Sequence, residues 1–168
     1  MDPHLERLQR EIAAAIAELS AEQMIWHPPG KWCAAEVLEH LYLTYTGTLK
    51  GLERVAEAGK PLTTSATWRQ RGRRFIVVGI GYFPPGRESP KVARPKGVPS
   101  EKVLAEIGLK IGEMDAMITR CEEKFGARRK VLDHPILGPL SGAQWRKFHL
   151  VHGLHHVKQI RRLRVGAG

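Results

Sequence analysis

Cysteine is scarce in this sequence, and no apolar run is long. The two cysteines among the 168 residues, Cys33 and Cys121, are far apart and fit no Cys-x-x-Cys pattern. A disulfide framework is therefore not expected, and a reducing compartment is the default. The longest apolar stretch, residues 75–83, is too short to span a bilayer, and the charged N-terminal segment lacks the apolar core of a signal peptide. We expect a cytoplasmic protein with no membrane segment.

Acidic residues are outnumbered by basic ones. The 17 Asp and Glu residues compare with 27 Lys and Arg residues, which gives a formal net charge of +10 at pH 7. The basic residues are scattered, with local clusters at 69–74, 128–130 and 161–164, and none is as long as the like-charge block of a binding tail. A solvated basic surface is the favoured interpretation. Nucleic acid, an anionic surface and an anionic substrate are the alternatives.

Helical periodicity dominates the chain, and strand signals are nearly absent. The length suits a single domain, 1–168, that can bury a core of its own. Apolar residues recur at helical spacing over about 3–19, 34–58 and 100–125, and a fourth helix is expected after Ser141, which opens a capping-box sequence. Amphipathic helices bury their apolar stripes most simply against one another, so we predict an all-α fold, a four-helix bundle.

Two segments interrupt the helical pattern. Residues 60–99 are rich in Pro and Gly, and we interpret them as a long irregular connection between helices two and three. Within this connection, residues 68–83 are expected to form a short helix or a partly buried segment. A linker between two domains is the alternative, but neither flank is long enough to form its own core. Residues 134–140 are predicted to be an apolar loop, because their prolines exclude a helix.

Histidine is concentrated in the last predicted helix, which holds four of the eight, at positions 149, 152, 155 and 156. His152 and His156 are one turn apart on the same face, and such a pair can bind a transition metal from one side. A third ligand must come from elsewhere, and His40 is the candidate because it flanks the apolar stripe of the second helix. Three neutral imidazoles suit zinc, nickel or iron and leave positions open for water or substrate.

The spacing alone leaves other interpretations open. In a chain with eight histidines, four of them clustered, a His-x-x-x-His pattern also arises by chance. Hydrogen-bonded histidines in the core explain the pattern equally well. Helix geometry by itself would also admit His149 together with His152 as a ligand pair.

Two motifs resemble those of a known family. Residues 32–41 read WCAAEVLEHL and resemble the W-S-x-x-E-x-x-x-H opening of helix two in the DinB-like superfamily, which is also called YfiT-like. Residues 152–160 read HGLHHVKQI and resemble the H-x-x-x-H-x-x-Q signature on that superfamily's last helix. The motifs occur in the expected order, so the resemblance covers nearly the whole chain. The superfamily includes bacillithiol and mycothiol S-transferases.

The resemblance implies a four-helix bundle in which His40, His152 and His156 are the metal ligands. It places neither His149 nor His155 in that set. His149 could face the pocket as an acid, a base or a substrate contact, although a structural role is the favoured interpretation.

Further candidates lie close to the two motifs. Gln159, three residues after His156, could steady a ligand or a metal-bound water, and Glu36, four residues before His40, could orient that imidazole or act as a base. Solvated helix positions explain both equally simply. Cys33 stands where the family usually has a serine cap, which should weaken the capping box. A cysteine at a helix N-terminus can be reactive, but a small buried substitution is the favoured interpretation.

The resemblance implies an enzyme that uses a divalent transition metal on a small-molecule substrate. The expected chemistry is transfer of a low-molecular-weight thiol to an electrophile, or hydrolysis. Two alternatives are a metal-binding protein without catalysis and a basic module for nucleic acid or an acidic partner. The absence of a helix-turn-helix, zinc-finger or RNA-binding signature counts against nucleic acid. The oligomeric state is left open, with a homodimer as one option.

Overall fold

Four long helices carry the fold. The computed structural model describes residues 1–84 and 89–166. Its long helices are α1 (Pro3–Ala17), α3 (Ala34–Ala58), α5 (Ser100–Phe125) and α6 (Gly142–Gly166), and the short helix α2 (Ala21–Ile25) follows α1. The prediction of an all-α fold is confirmed, with boundaries close to those expected. Among the described residues, no helix is both long and apolar enough to cross a membrane.

Local side-chain chemistry explains where the helices begin and end. The Asp2 carboxylate accepts a hydrogen bond from the backbone N–H of His4 at 2.9 Å and caps α1. Ser20 and Gln23 form a reciprocal capping box at the start of α2. Gly59 ends α3 in the left-handed conformation, with φ of 65°, which a residue with a Cβ rarely adopts.

The core lies between two extensively packed helix pairs. Helix α3 packs along α5, and α1 packs along α6. Each helix contributes its apolar stripe, and a fully buried Leu or Ile side chain stabilises the fold by roughly 2 kcal/mol. The fully buried large side chains include Leu5, Leu8, Leu38, Leu41, Tyr45, Leu52, Ile111, Met114, Ile118 and Ile160.

A glycine lets α1 approach α6 closely. A Cβ atom at Gly153 would lie 2.2 Å from Cδ1 of Leu8 and 3.1 Å from the hydroxyl oxygen of Tyr45. Gly153 directly follows His152, so the close helix contact and the predicted metal ligand share one turn of α6.

The connection between α3 and α5 is more ordered than expected. Helix α4 (Trp68–Arg74) continues directly into a π-helical segment, Phe75–Ile80, and a short 3-10 turn follows at Lys91–Ala93. The expectation of a short helix within 68–83 is therefore confirmed, whereas the description of 60–99 as irregular is only partly right. The capping pair Thr67 and Gln70 is the local cause of this helix. Residues 85–88 of the connection, and 167–168 at the C-terminus, lie outside the described residues.

The prediction of an apolar loop at 134–140 is wrong in part. Strands β1 (Leu132–His134) and β2 (Gly138–Leu140) form a small antiparallel hairpin, in which Leu132 pairs with Leu140. Each strand is only three residues long and Pro139 interrupts the second, so no alternating pattern marks them in the sequence.

A buried ion network joins the N-terminus, α5 and α6. The Arg146 guanidinium donates to the carboxylate of Asp115 at 2.7 Å and to that of Glu122 at 2.6 Å. It also donates to the Thr119 hydroxyl at 2.8 Å. The second oxygen of Asp115 accepts from the backbone N–H of Asp2 at 2.7 Å. Arg146 and Asp115 are both buried, so the charge of Asp115 is compensated by Arg146, and that of Arg146 by Asp115 together with Glu122.

Replacing Asp115 with alanine should destabilise the fold by about 3 kcal/mol or more, because the buried guanidinium loses a charged partner. The free energy of unfolding in urea measures this. The control is Glu113→Ala, which removes an exposed ion pair with Lys110 on the same helix and should cost at most about 1 kcal/mol. Equal losses in the two variants would contradict a special role for the network.

Candidate metal centre

The three predicted ligands meet inside the bundle. His40 comes from α3, and His152 and His156 come from successive turns of α6. The Nε2 atom of His152 lies 3.2 Å from Nε2 of His40 and 3.2 Å from Nε2 of His156. All three side chains are buried, and within the described ranges they form a group whose ligand atoms lie within 4.8 Å of one another.

The outer ring nitrogens of two of these histidines face oxygen acceptors. Nδ1 of His40 lies 2.7 Å from the backbone carbonyl oxygen of Ala93, and Nδ1 of His156 lies 3.0 Å from Oε1 of Gln159. Because these oxygens only accept, each Nδ1 carries the hydrogen and donates it. The Nε2 atoms of His40 and His156 are therefore unprotonated, and their lone pairs are directed at the Nε2 atom of His152.

This arrangement fits a cation. Neutral His152 can place at most one hydrogen on Nε2, so it can satisfy only one of the two neighbouring lone pairs. The Nδ1 atom of His152 is buried without a hydrogen-bond partner in the part of the chain that the structure describes. Nitrogen ligands about 2.0–2.1 Å from a tetrahedral zinc ion would lie roughly 3.3–3.4 Å apart, close to the 3.2 Å that separates Nε2 of His152 from Nε2 of His40 and from Nε2 of His156.

Burial keeps these imidazoles neutral. Removal from water lowers the pKa of His40, lowers that of His156 to about 3, and lowers that of His152 well below its usual value. The neighbouring imidazoles lower the pKa values of His152 and His156 further. At pH 7 all three rings therefore have the neutral form that a metal requires of a histidine ligand.

The position of Ala93 depends on a buried carboxylate that the sequence did not reveal. Glu39, next to His40 in α3, is 4% exposed. Its carboxylate accepts from the backbone N–H of Lys96 at 2.6 Å and from that of Gly97 at 3.2 Å. Glu39 thus holds the chain just after Ala93 against α3. A glutamate in a helix usually faces solvent, so no signal in the sequence marked it.

Aromatic side chains surround the cluster. The Trp32 and His40 rings lie 5.4 Å apart, and Phe148 stacks on His152 with an interplanar angle of 14°. The Phe83 ring centroid lies 5.1 Å from that of His152 and 5.1 Å from that of His155. These contacts restrict the rings of His40 and His152 to few orientations and keep bulk water away from part of each of these two rings.

Two open spaces reach the cluster. A cavity of about 350 Å³ includes His40 and His152 in its lining and runs between α3, the π-helical segment and the hairpin. A wider cleft of about 1400 Å³ includes His156 and Gln159 in its lining. The histidine cluster is therefore accessible to small molecules although each imidazole is buried.

A model of the DinB superfamily matches residues 4–160. The chain belongs to the DinB superfamily. The resemblance found in the two sequence motifs is thereby confirmed at the level of the family. No curated protein and no solved structure matches the chain significantly.

In this DinB superfamily chain, His149 lies away from the cavity and the cleft that the other three histidines of α6 line. It is fully buried, stacks on Trp145 and meets the edge of the Tyr45 ring. Neither of its ring nitrogens has a hydrogen-bond partner among the described residues. It lines neither of the two spaces, and burial lowers its pKa to about 3. This placement favours the structural role over a contact with substrate.

The remaining candidates have other surroundings. His155 is half-buried in the wide cleft against Phe83, where burial and the nearby cations Arg162 and Lys158 lower its pKa. The Glu36 carboxylate accepts from the backbone N–H of Cys33 at 2.8 Å, so it serves the start of α3, and Ala93 supplies the acceptor for His40 instead. Burial raises the pKa of the Cys33 thiol, which opposes the reactive thiolate considered from the sequence.

The buried His149 should make the folded state of this protein sensitive to acid. Its folded pKa of about 3 lies below the unfolded value near 6.5, so between these values the unfolded chain binds the extra proton and stability falls as pH falls. We expect His149→Phe to reduce the loss of unfolding free energy between pH 7 and pH 5 by about 1–2 kcal/mol. Urea titrations of both proteins at the two pH values measure this difference. Parallel losses would contradict it.

Proposed function

We propose that the protein is a divalent-metal-dependent enzyme in which His40, His152 and His156 hold zinc, nickel or iron. The observation that carries this proposal is the convergence of the Nε2 atoms in neutral, buried rings, two of which are fixed with their lone pairs inward. A protein without a use for a cation gains nothing from this arrangement, because buried acceptors facing one another are destabilising.

A divalent metal held by three imidazoles acts as a Lewis acid and lowers the pKa of a bound water or thiol towards neutrality. The chain's own residues provide the conditions for this chemistry. Ala93 and Gln159 fix the tautomers of His40 and His156, and Glu39 holds the segment that carries Ala93. Phe148 and Phe83 exclude water from the faces of His152.

The reaction we propose is attack of a small nucleophile on an electrophilic carbon. In the transferase form, a thiol sulfur forms a bond to that carbon, the bond from the carbon to its leaving group breaks, and the leaving group departs with the electron pair and takes up the thiol proton. In the hydrolase form, water takes the place of the thiol. The cavity beside His40 and His152 is of a size suited to a small organic electrophile.

Metal binding should depend on the cluster and not on the neighbouring histidine. We expect purified untagged protein to bind one equivalent of zinc or nickel, and His152→Ala to weaken binding by about 100-fold or more, because a three-ligand site becomes a two-ligand site. Elemental analysis and isothermal titration calorimetry measure stoichiometry and affinity. The matched control is His155→Ala, which removes an α6 histidine outside the cluster and should leave affinity within about threefold.

Two results would contradict the metal proposal. One is wild-type protein that binds no transition metal, and the other is His152→Ala protein that binds it as tightly as the wild type.

Turnover should require the metal. We expect protein loaded with zinc, nickel or iron to consume a thiol together with an apolar alkyl or epoxide electrophile, or to hydrolyse an apolar ester, and we expect chelation to lower the rate by at least about 100-fold. Mass spectrometry separates the thioether product from the hydrolysis product. Metal-bound protein that is inert in both assays would favour the alternative of metal binding without catalysis.

A further inference from the structure

The cavity beside His40 and His152 is mainly apolar. Its walls include Ile76 and Val77 of the π-helical segment, Leu137 of the hairpin and Phe148 of α6. The charged residues in its lining are Arg54, Arg73 and Asp133, and the two arginines are exposed to solvent. A molecule that reaches the imidazoles from this side therefore contacts hydrocarbon for most of its length.

The cleft beside His156 has the opposite character. Among the described residues, seven basic side chains and a single acidic one, Glu11, line it, and Glu11 is already paired with Arg161 at 3.0 Å. Four of the cations come from α6, and the other three come from α1, from the segment next to Trp32 and from the end of the connection. They are Arg7, Lys31, Arg94, Lys147, Lys158, Arg161 and Arg162. This concentration of positive charge attracts anions.

Phe83 lies between the two spaces. It lines both the cavity and the cleft, and its ring contacts His152 on the cavity side and His155 on the cleft side. His40 and His152 line only the cavity, whereas His156 and Gln159 line only the cleft. The three-histidine cluster is thus the place where an apolar and a cationic chamber meet.

We infer that the two chambers bind two different molecules at once: an uncharged, apolar substrate in the cavity and a small polyanion, carrying carboxylate or phosphate groups, in the cleft. A single compound that filled both spaces would have to pass the Phe83 ring and the histidine cluster. A hydrolase needs a chamber for only one substrate, because its second reactant is water, which does not need a binding chamber of its own. The arrangement therefore favours transfer between two substrates over hydrolysis, and this conclusion rests on the proposed metal-dependent function.

Each chamber offers a substitution that should affect it alone. Gly47 lines the apolar cavity, and a Cβ atom there would meet nothing within 4 Å, so a side chain can start at this position without a backbone clash. We expect the ring of Gly47→Phe to occupy part of the cavity. In the cleft, Lys158→Gln combined with Arg162→Gln removes two exposed cations. The double variant Arg128→Gln/Arg129→Gln is the matched control, because it removes the same charge from exposed positions that line neither chamber.

The test measures binding to metal-free and to zinc-loaded protein. N-phenyl-1-naphthylamine, an uncharged fluorescent probe, reports on the cavity. Succinate and glycerol 3-phosphate, titrated by calorimetry, report on the cleft and distinguish carboxylate from phosphate recognition. We expect Gly47→Phe to weaken the naphthylamine about tenfold and leave the anion affinity unchanged. We expect Lys158→Gln/Arg162→Gln to weaken the anion about tenfold and leave the naphthylamine unchanged.

The wild type should also bind both probes simultaneously, with little change in either affinity. The inference is overturned if neither anion binds, if the control variant weakens the anion as much as the cleft variant does, or if naphthylamine and anion displace each other. Metal affinity measured on the same samples keeps this result separate from the proposed function. Zinc binding without anion binding refutes the second chamber alone, whereas anion binding without zinc binding refutes the metal site alone.

Discussion

Three neutral, buried imidazoles inside a helix bundle are the constraint on which the rest of this structure depends. A buried nitrogen lone pair without a partner is costly, and here the lone pairs of His40 and His156 are both directed at the same place. Removing water is what keeps these rings neutral, and the same removal of water makes their polar atoms depend on partners within the chain. The surroundings of the cluster follow from this requirement: a backbone carbonyl, a glutamine side chain and a set of aromatic rings.

The parts of the molecule that the sequence could predict are those governed by local periodicity. The apolar stripes of α3 and α5 predicted boundaries within a residue or two of the structure. The His-x-x-x-His pair could be placed on one helical face by spacing alone. The choice of His152 with His156 over His149 with His152 depended on the family motif, since helix geometry admits both pairs. His40 could be named as a candidate because it flanks the apolar stripe of its helix.

What could not be predicted depends on tertiary contacts between distant segments. Ala93 is 53 residues from His40 along the chain, and nothing in an alanine indicates that its carbonyl oxygen will meet an imidazole. Glu39 reads as a solvent-facing helix residue and turns out to be a buried acceptor for the same segment. The hairpin at 132–140 is too short to show alternation, yet it forms part of the wall of the apolar cavity.

The acceptor for His40 is a main-chain oxygen, and this has a consequence for how the site can change over generations. Every residue type supplies that carbonyl, so position 93 is free to drift without loss of the contact. Selection would instead act on Glu39, whose side chain alone fixes the neighbouring amides of Lys96 and Gly97. A survey of natural variants should therefore find many residue types at position 93, whose carbonyl contacts His40, and a constant glutamate at position 39, whose side chain binds the amides of residues 96 and 97.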